Sequence, residues 1–194
     1  MNWKTSALLS TLYDHAVQNR ALSSLGARVL WNYDIDHLRS TIATQDPHAL
    51  TLDIPCGGGI AIHGTRHVAA DLSQIMLRRA RRRTATLLQA DLYALPFPTS
   101  TFDACLTYNG LHCLDDPATA LRELARVLRP GGALTGTTLV RGTNRDPLIT
   151  LFQHLDIFGN PGTTDDLRTW LTTAGLTAID LTRIGAVTGF TARK

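Results

Sequence analysis

Cysteine is scarce: the 194 residues hold three, Cys56, Cys105 and Cys113. An odd number with no C-x-x-C spacing supplies neither a disulfide framework nor a zinc knuckle, and so little cysteine fits a reducing, cytoplasmic setting. Charge is thin as well. Charged residues make up 18% of the chain and the net charge is +3, too modest for a whole-surface nucleic-acid footprint. Much of the excess lies in "LRRARRRT", residues 77–84, which reads as a solvated helical face, with docking of an acidic carrier or RNA as the lesser alternative. No apolar run is long enough to span a bilayer, and "SALLSTL" is broken by Tyr13, Asp14 and His15 too soon for a signal-peptide core. Fixed-period repeats and low-complexity tracts are also missing. What remains is 44% hydrophobic residues, enough for one soluble α/β domain with a real core.

The apolar pattern supplies the order of elements. Leu8, Leu9, Leu12 and Ala16 predict an amphipathic helix between Trp3 and Gly26, and "DIDHLRSTIATQ" a second one stopped at Asp46-Pro47. Then "ALTLDI", "HVAADL" and "TLLQADL" read as strands, with a helix from Ser73 to Arg83 before the third. "FDACLTYN" is a fourth strand and "ALTGTTLV" a fifth. Between them lies a helix that Asp116 can cap, with Pro117 at its first position, Leu121, Leu124, Ala125 and Leu128 as its stripe, and Pro130-Gly131 at its end. A helix around Leu148–Phe158 follows, then one in which Thr163 and Asp166 have capping-box spacing and Gly175 fits the position past the end. Two short strands joined at Gly185 read as an antiparallel hairpin. Apolar strands alternating with helices indicate a doubly wound, mostly parallel sheet covered on both faces.

Ligands of such sheets lie over the carboxyl ends of the strands, where strand order reverses. The stretch "TLDIPCGGGI" falls there, and three consecutive glycines suit close approach of a ligand rather than packing. A dinucleotide fingerprint would want its third glycine where Ile62 stands, which weakens that reading. Four blocks in order carry a different likeness: "LDIPCGGG", "AADLSQIMLRRAR", "LLQADLYALPFPTSTFDACLTYNGLHCL" and "ALRELARVLRPGGAL". From Leu52 to Val140 the chain resembles the class I S-adenosylmethionine-dependent methyltransferases. The N-terminal Tyr13, Asn19, Ser23, Gly26 and Trp31 are loosely similar to the lid of the quinone C-methyltransferase branch.

The resemblance implies a Rossmann-like seven-stranded sheet with an antiparallel C-terminal hairpin, residues 1–46 forming a helical lid and 47–194 the cofactor-binding core of a single domain. It implies S-adenosylmethionine as cofactor, S-adenosylhomocysteine as product, and no metal. Asp53, Pro55, Cys56, Gly57 and Gly59 would lie at the methionine end. Asp71 would accept from both ribose hydroxyls, an arrangement a two-oxygen carboxylate suits, with Leu72 beside it. Asp91 would accept from the adenine amino group, Leu92 would pack on the ring, and Asn109 would face the sulfonium. His112 is the candidate base, and Tyr13, Trp31, Tyr33, His37 and His154 the candidate acceptor pocket.

Two departures from the family pattern stand out. Pro55 replaces the first glycine of the loop, fixing φ and removing a donor. The segment "IAIHGTRH" leaves room for only about one or two helical turns in the first crossover. The N-terminal helices are expected to cover the face this exposes. Chemically, a sulfonium brings its own leaving group, so alignment alone can supply about 7–11 kcal/mol, and a base is needed only for a protonated acceptor. "NGLH" differs from the Asn-Pro-Pro-Tyr segment with which many nucleobase methyltransferases stack a flipped base, which argues against nucleic-acid amines. Without inserted domains the expected acceptor is a small or medium organic molecule. The alternatives are a cofactor-binding accessory or non-methylating protein and an RNA or protein methyltransferase. The acceptor atom and the oligomeric state are not legible.

Overall fold

The computed structural model describes residues 20–83 and 86–194. Helices α1 (Arg20–Trp31) and α2 (Ile35–Ala43) lead into β1 (Thr51–Asp53), β2 (His67–Asp71), α3 (Gln74–Ala80), β3 (Thr86–Gln89) and β4 (Phe102–Tyr108). A 3-10 turn at Leu111–Cys113 precedes α4 (Pro117–Val127), β5 (Leu128–Leu139), α5 (Asp146–His154), α6 (Thr164–Thr173), β6 (Thr177–Ile184) and β7 (Val187–Arg193). The strands form one seven-stranded sheet in the order β3-β2-β1-β4-β5-β7-β6. β1 through β5 pair in parallel, and β7 is antiparallel to both β5 and β6. The chain runs outward from β1 through β2 to β3, then returns to place β4 on the other side of β1. That reversal opens a crevice above the carboxyl ends of β1 and β4.

Local chemistry accounts for the helices. The Asp116 carboxylate accepts from the Thr119 amide and Pro117 occupies the first turn, so α4 begins where the sequence places its cap. Both halves of the Thr163/Asp166 capping box form at the start of α6. The buried stripes of these helices, among them Leu121, Leu124, Leu167 and Leu171, pack with Phe102, Cys105 and Leu134 in the larger core. Alternate strand positions, Leu106, Tyr108, Leu139 and Val187, face the other side and meet Ile35 and Leu38 of α2 and Ala61 of the first crossover. The crossover from Ile54 to Arg66 contains turns and no helix, so α2 covers the face that a full crossover helix would otherwise fill.

Two boundaries differ from the sequence reading. α1 continues through Gly26 to Trp31. The Trp31 ring lies 5.7 Å from Phe152 and 5.8 Å from Phe158, contacts that offset the cost of about 1 kcal/mol for a glycine inside a helix. β5 begins at Leu128 rather than Ala133 because Leu128, fully buried, already pairs with Phe102.

Candidate functional site

A cavity of about 590 Å³ lies over the carboxyl ends of β1, β2 and β4. Of the ten residues expected to hold a cofactor, nine line it: Asp53, Pro55, Cys56, Gly57, Asp71, Leu72, Asp91, Leu92 and Asn109. Gly59 does not, and Gly58 does. A Cβ at Gly59 would stand 2.7 Å from Ile62 Cδ1 and 3.3 Å from the Ala80 Cβ, so this glycine lets the loop lie against α3 instead of facing the cavity.

The strand ends fix the acids. Asp53 closes β1 and is 1% exposed, with its Oδ2 3.6 Å from His67 Nε2 and no hydrogen-bond partner for that oxygen among the described residues. Burial pushes its carboxyl above the usual range, and His67 pulls it back only in part. Asp71 closes β2. Its Oδ2 accepts from the Gly57 amide at 2.9 Å and its Oδ1 from the Ser73 amide at 2.8 Å. Burial raises the Asp71 carboxyl as well, against the pull of those two amides. Asp71 therefore braces the glycine loop, a role that motif reading missed, while each oxygen keeps a lone pair for a ligand. Asp91, exposed beyond the end of β3, accepts from the Tyr93 amide at 2.9 Å and turns the chain there.

The loop between these acids is open to close approach. Gly57 has φ +51°, and a Cβ on it would meet nothing within 4 Å. The missing amide at Pro55 leaves no gap in the ladder, since the Ile54 amide donates to Leu106 O at 3.0 Å and the Cys56 amide to Ala70 O at 2.8 Å. The Pro55 ring instead fills the space over Gly110, where a Cβ would come within 2.4 Å of its Cγ and Cδ. Burial pushes the Cys56 thiol up, which leaves it without nucleophilic character. Asn109 is held in place by Thr137, whose hydroxyl donates to Asn109 Oδ1 at 3.0 Å.

The residues expected around the acceptor are not brought together at the cavity. His112 is buried, its Nδ1 accepts from the Leu139 amide at 3.4 Å, and its ring stands edge-on to Phe158 at 4.8 Å. Burial lowers its pKa to about 3, so it is a neutral packed imidazole that does not line the cavity. Tyr33 is buried in the α2-side core with its phenol pushed up to about 12. Trp31 packs against α5, while His37 and His154 are exposed on α2 and α5. Tyr13 lies outside the described residues.

Sequence reasoning missed one wall of the cavity. Tyr108 lines the cavity, and its buried hydroxyl finds no partner among the described residues. Ile35, Leu38, Arg39 and Ile42 line it from α2. Two periodicities could have found them. Tyr108 is two residues beyond Leu106, the neighbour of Asp53 across β1 and β4, and the α2 residues repeat at 3, 4 and 7.

Three acids converging from successive strand ends above a glycine loop, on a 3-2-1-4-5-7-6 sheet, form an α/β arrangement of the Rossmann-like methyltransferase type. The comparisons agree. Residues 52–135 match the methyltransferase domain family. A demethylmenaquinone methyltransferase of Corynebacterium urealyticum is 41% identical over 135 residues, covering 65% of this chain and 57% of the relative. A malonyl-[acyl-carrier protein] O-methyltransferase of Pseudescherichia vulneris is 33% identical over 143 residues, 66% of this chain and 57% of the relative. The chain thus spans little more than half the length of these relatives. Among solved structures, a possible histamine N-methyltransferase of Thermotoga maritima superposes with TM-score 0.72 at 17% identity, over 93% of this chain and 98% of that one. The chain thus resembles the class I S-adenosylmethionine-dependent methyltransferases, in sequence over residues 52–135 and in fold over 93% of its length.

Proposed function

We propose that the protein binds S-adenosylmethionine in this cavity and transfers its methyl group to a small or medium organic acceptor. The observation that carries the reading is the convergence of Asp53, Asp71 and Asp91 on one cavity beneath the open backbone of Gly57. The donor set fits the cofactor. The unpartnered Asp53 Oδ2 is suited to an ammonium, the spare lone pairs of Asp71 to a vicinal diol, and Asp91 with Leu92 to an adenine edge and face.

When bound, the cofactor supplies a sulfonium whose methyl is open to in-line displacement. The protein's own part is to orient and to exclude water. Asp71 ties the glycine loop to β2, Pro55 packed on Gly110 fixes the space between β1 and β4, and α2 closes the acceptor side with a mostly apolar wall in which Arg39 is the one charged side chain. Holding the two reactants in register supplies most of the barrier reduction in such a transfer. The mostly apolar α2 wall and the relatives that act on demethylmenaquinone and malonyl-[acyl-carrier protein] support an organic acceptor over a nucleic-acid amine. His112, engaged with Leu139 and away from the cavity, has no part in the proposed mechanism.

Isothermal titration with S-adenosylhomocysteine tests the first half: no binding refutes the reading. Incubation with labelled S-adenosylmethionine and host extract tests the second. Label in an extractable small molecule supports it, label in RNA or protein moves the acceptor class, and cofactor binding without any labelled acceptor favours the accessory reading.

A further inference from the structure

Asp53 can receive an ammonium only as an ionised, oriented carboxylate, and its surroundings oppose that. It is 1% exposed and burial favours its protonated form. Against it stands His67, 2% exposed, Nε2 at 3.6 Å from Asp53 Oδ2, with neither ring nitrogen hydrogen-bonded among the described residues. Register produces the pairing. His67 lies opposite Thr51 and Ala69 opposite Asp53 in the parallel β1–β2 ladder, so the period of two puts both side chains on one face. A carboxylate and an imidazole left together in such surroundings are costly unless they act as one unit. Asp53 lines the cavity and His67 does not. Four further groups bear on the pair. His63 of the crossover stands edge-on to His67 at 5.1 Å with its Nδ1 on Ala61 O, and the Tyr108 phenol on β4 and the Cys56 thiol of the glycine loop both feel the Asp53 charge. The fourth, the Asp71 carboxylate on β2, also feels the Asp53 charge.

We propose that His67 is the positioning residue for Asp53: the two hold a single proton between them and release it to solvent when the ammonium of the cofactor's amino-acid end enters. The inference rests on the cofactor reading above. A proton shared in the pair keeps the site near neutral while it is empty, and an arriving ammonium supplies the positive charge in its place. His67 then remains behind the carboxylate as a neutral, fixed neighbour and never touches the ligand.

The test is isothermal titration with S-adenosylhomocysteine, which carries the same amino-acid end without a reactive methyl, between about pH 5.5 and 8.5, where an imidazole changes charge. Buffers of different ionisation enthalpy count the protons. The wild type should release up to one proton and lose affinity by up to about tenfold per pH unit on the acid side. His67→Phe should bind about tenfold or more weakly near neutrality, because a lone buried carboxyl keeps its proton. His67→Gln, a donor that does not titrate, should restore most of that affinity without the proton release. Equal affinity and proton count in wild type and His67→Phe would overturn the proposal, as would His67→Gln retaining wild-type release. Circular dichroism checks folding, and His67→Gln decides the matter if His67→Phe does not fold. Asp53→Asn separates the two levels. Binding lost there but untouched by both His67 variants overturns the positioning role alone. A wild type that never binds, or an Asp53→Asn that binds normally, removes the cofactor reading and this inference with it.

Discussion

The loops that follow β1 and β4 leave the same edge of the sheet, one strand apart, and carry similar chemical groups, yet they are built to opposite ends. After β1, polar capacity is left unspent. Asp53 has an oxygen with no partner among the described residues, the Gly57 backbone looks into open space, and Asp71 of β2, which braces this loop, keeps lone pairs. After β4 that capacity is consumed. Asn109 takes the Thr137 hydroxyl, and His112 takes the Leu139 amide while packing on Phe158. A side chain at a strand's carboxyl end is thus not functional by position alone; what matters is whether its polar atoms are still available at the cavity.

Acid should separate the two loops most strongly. His112 is depressed to about 3, so the fold favours its neutral form: its contribution is complete above about pH 6.5 and is lost as pH falls toward 3, on the order of 5 kcal/mol at most. Asp53 and Asp71 are raised, so they hold their protons longer in the fold, favour it at low pH and withdraw that support as pH rises through their folded values. Urea unfolding from about pH 7 down to pH 3 should show His112→Leu flattening the acid-side loss while S-adenosylhomocysteine affinity stays within about twofold. An unchanged acid limb would contradict the packed, neutral imidazole.

The next largest effect belongs to the first loop. Asp71→Ala removes the acceptor for two backbone amides as well as the proposed ribose contacts, and titration should show affinity reduced by about 10- to 100-fold, or 1–3 kcal/mol. Undiminished affinity would take Asp71 out of the site. Gly110→Ala joins the loops, since its Cβ would meet the Pro55 ring at 2.4 Å. Overpacking of this kind costs about 1–3 kcal/mol of stability, and because Pro55 lines the cavity, thermal melting and ligand affinity should suffer together.

Order, strand type and caps were legible in the sequence because they depend on local rules: Asp116 and Thr163 sit where short-range hydrogen bonds require them. Nine cavity-lining residues were legible because ordered family blocks fix strand ends. His112 was misplaced because motif position carries no information about which way a side chain turns after the strand, and that depends on Phe158 and Leu139, far away in the chain. Tyr108, Arg39 and the α2 wall were missed for the same reason. They become a surface only because the first crossover is too short to cover them.

The smallest effect sharpens the contrast from outside both loops. Asp116 ends the segment after β4, and its carboxylate accepts from the Thr119 amide at 3.0 Å. Asp116→Ala should cost about 1 kcal/mol, as loss of a helix cap does, measured as a shift in the urea midpoint with unchanged slope. Its α4 packs through Leu121 and Leu124 on the face of the sheet away from Asp53 and His67, so S-adenosylhomocysteine affinity should not move. A loss of affinity in Asp116→Ala would mean that the start of α4 is coupled to Asn109 and Gly110, the part of the loop after β4 that lines the cavity.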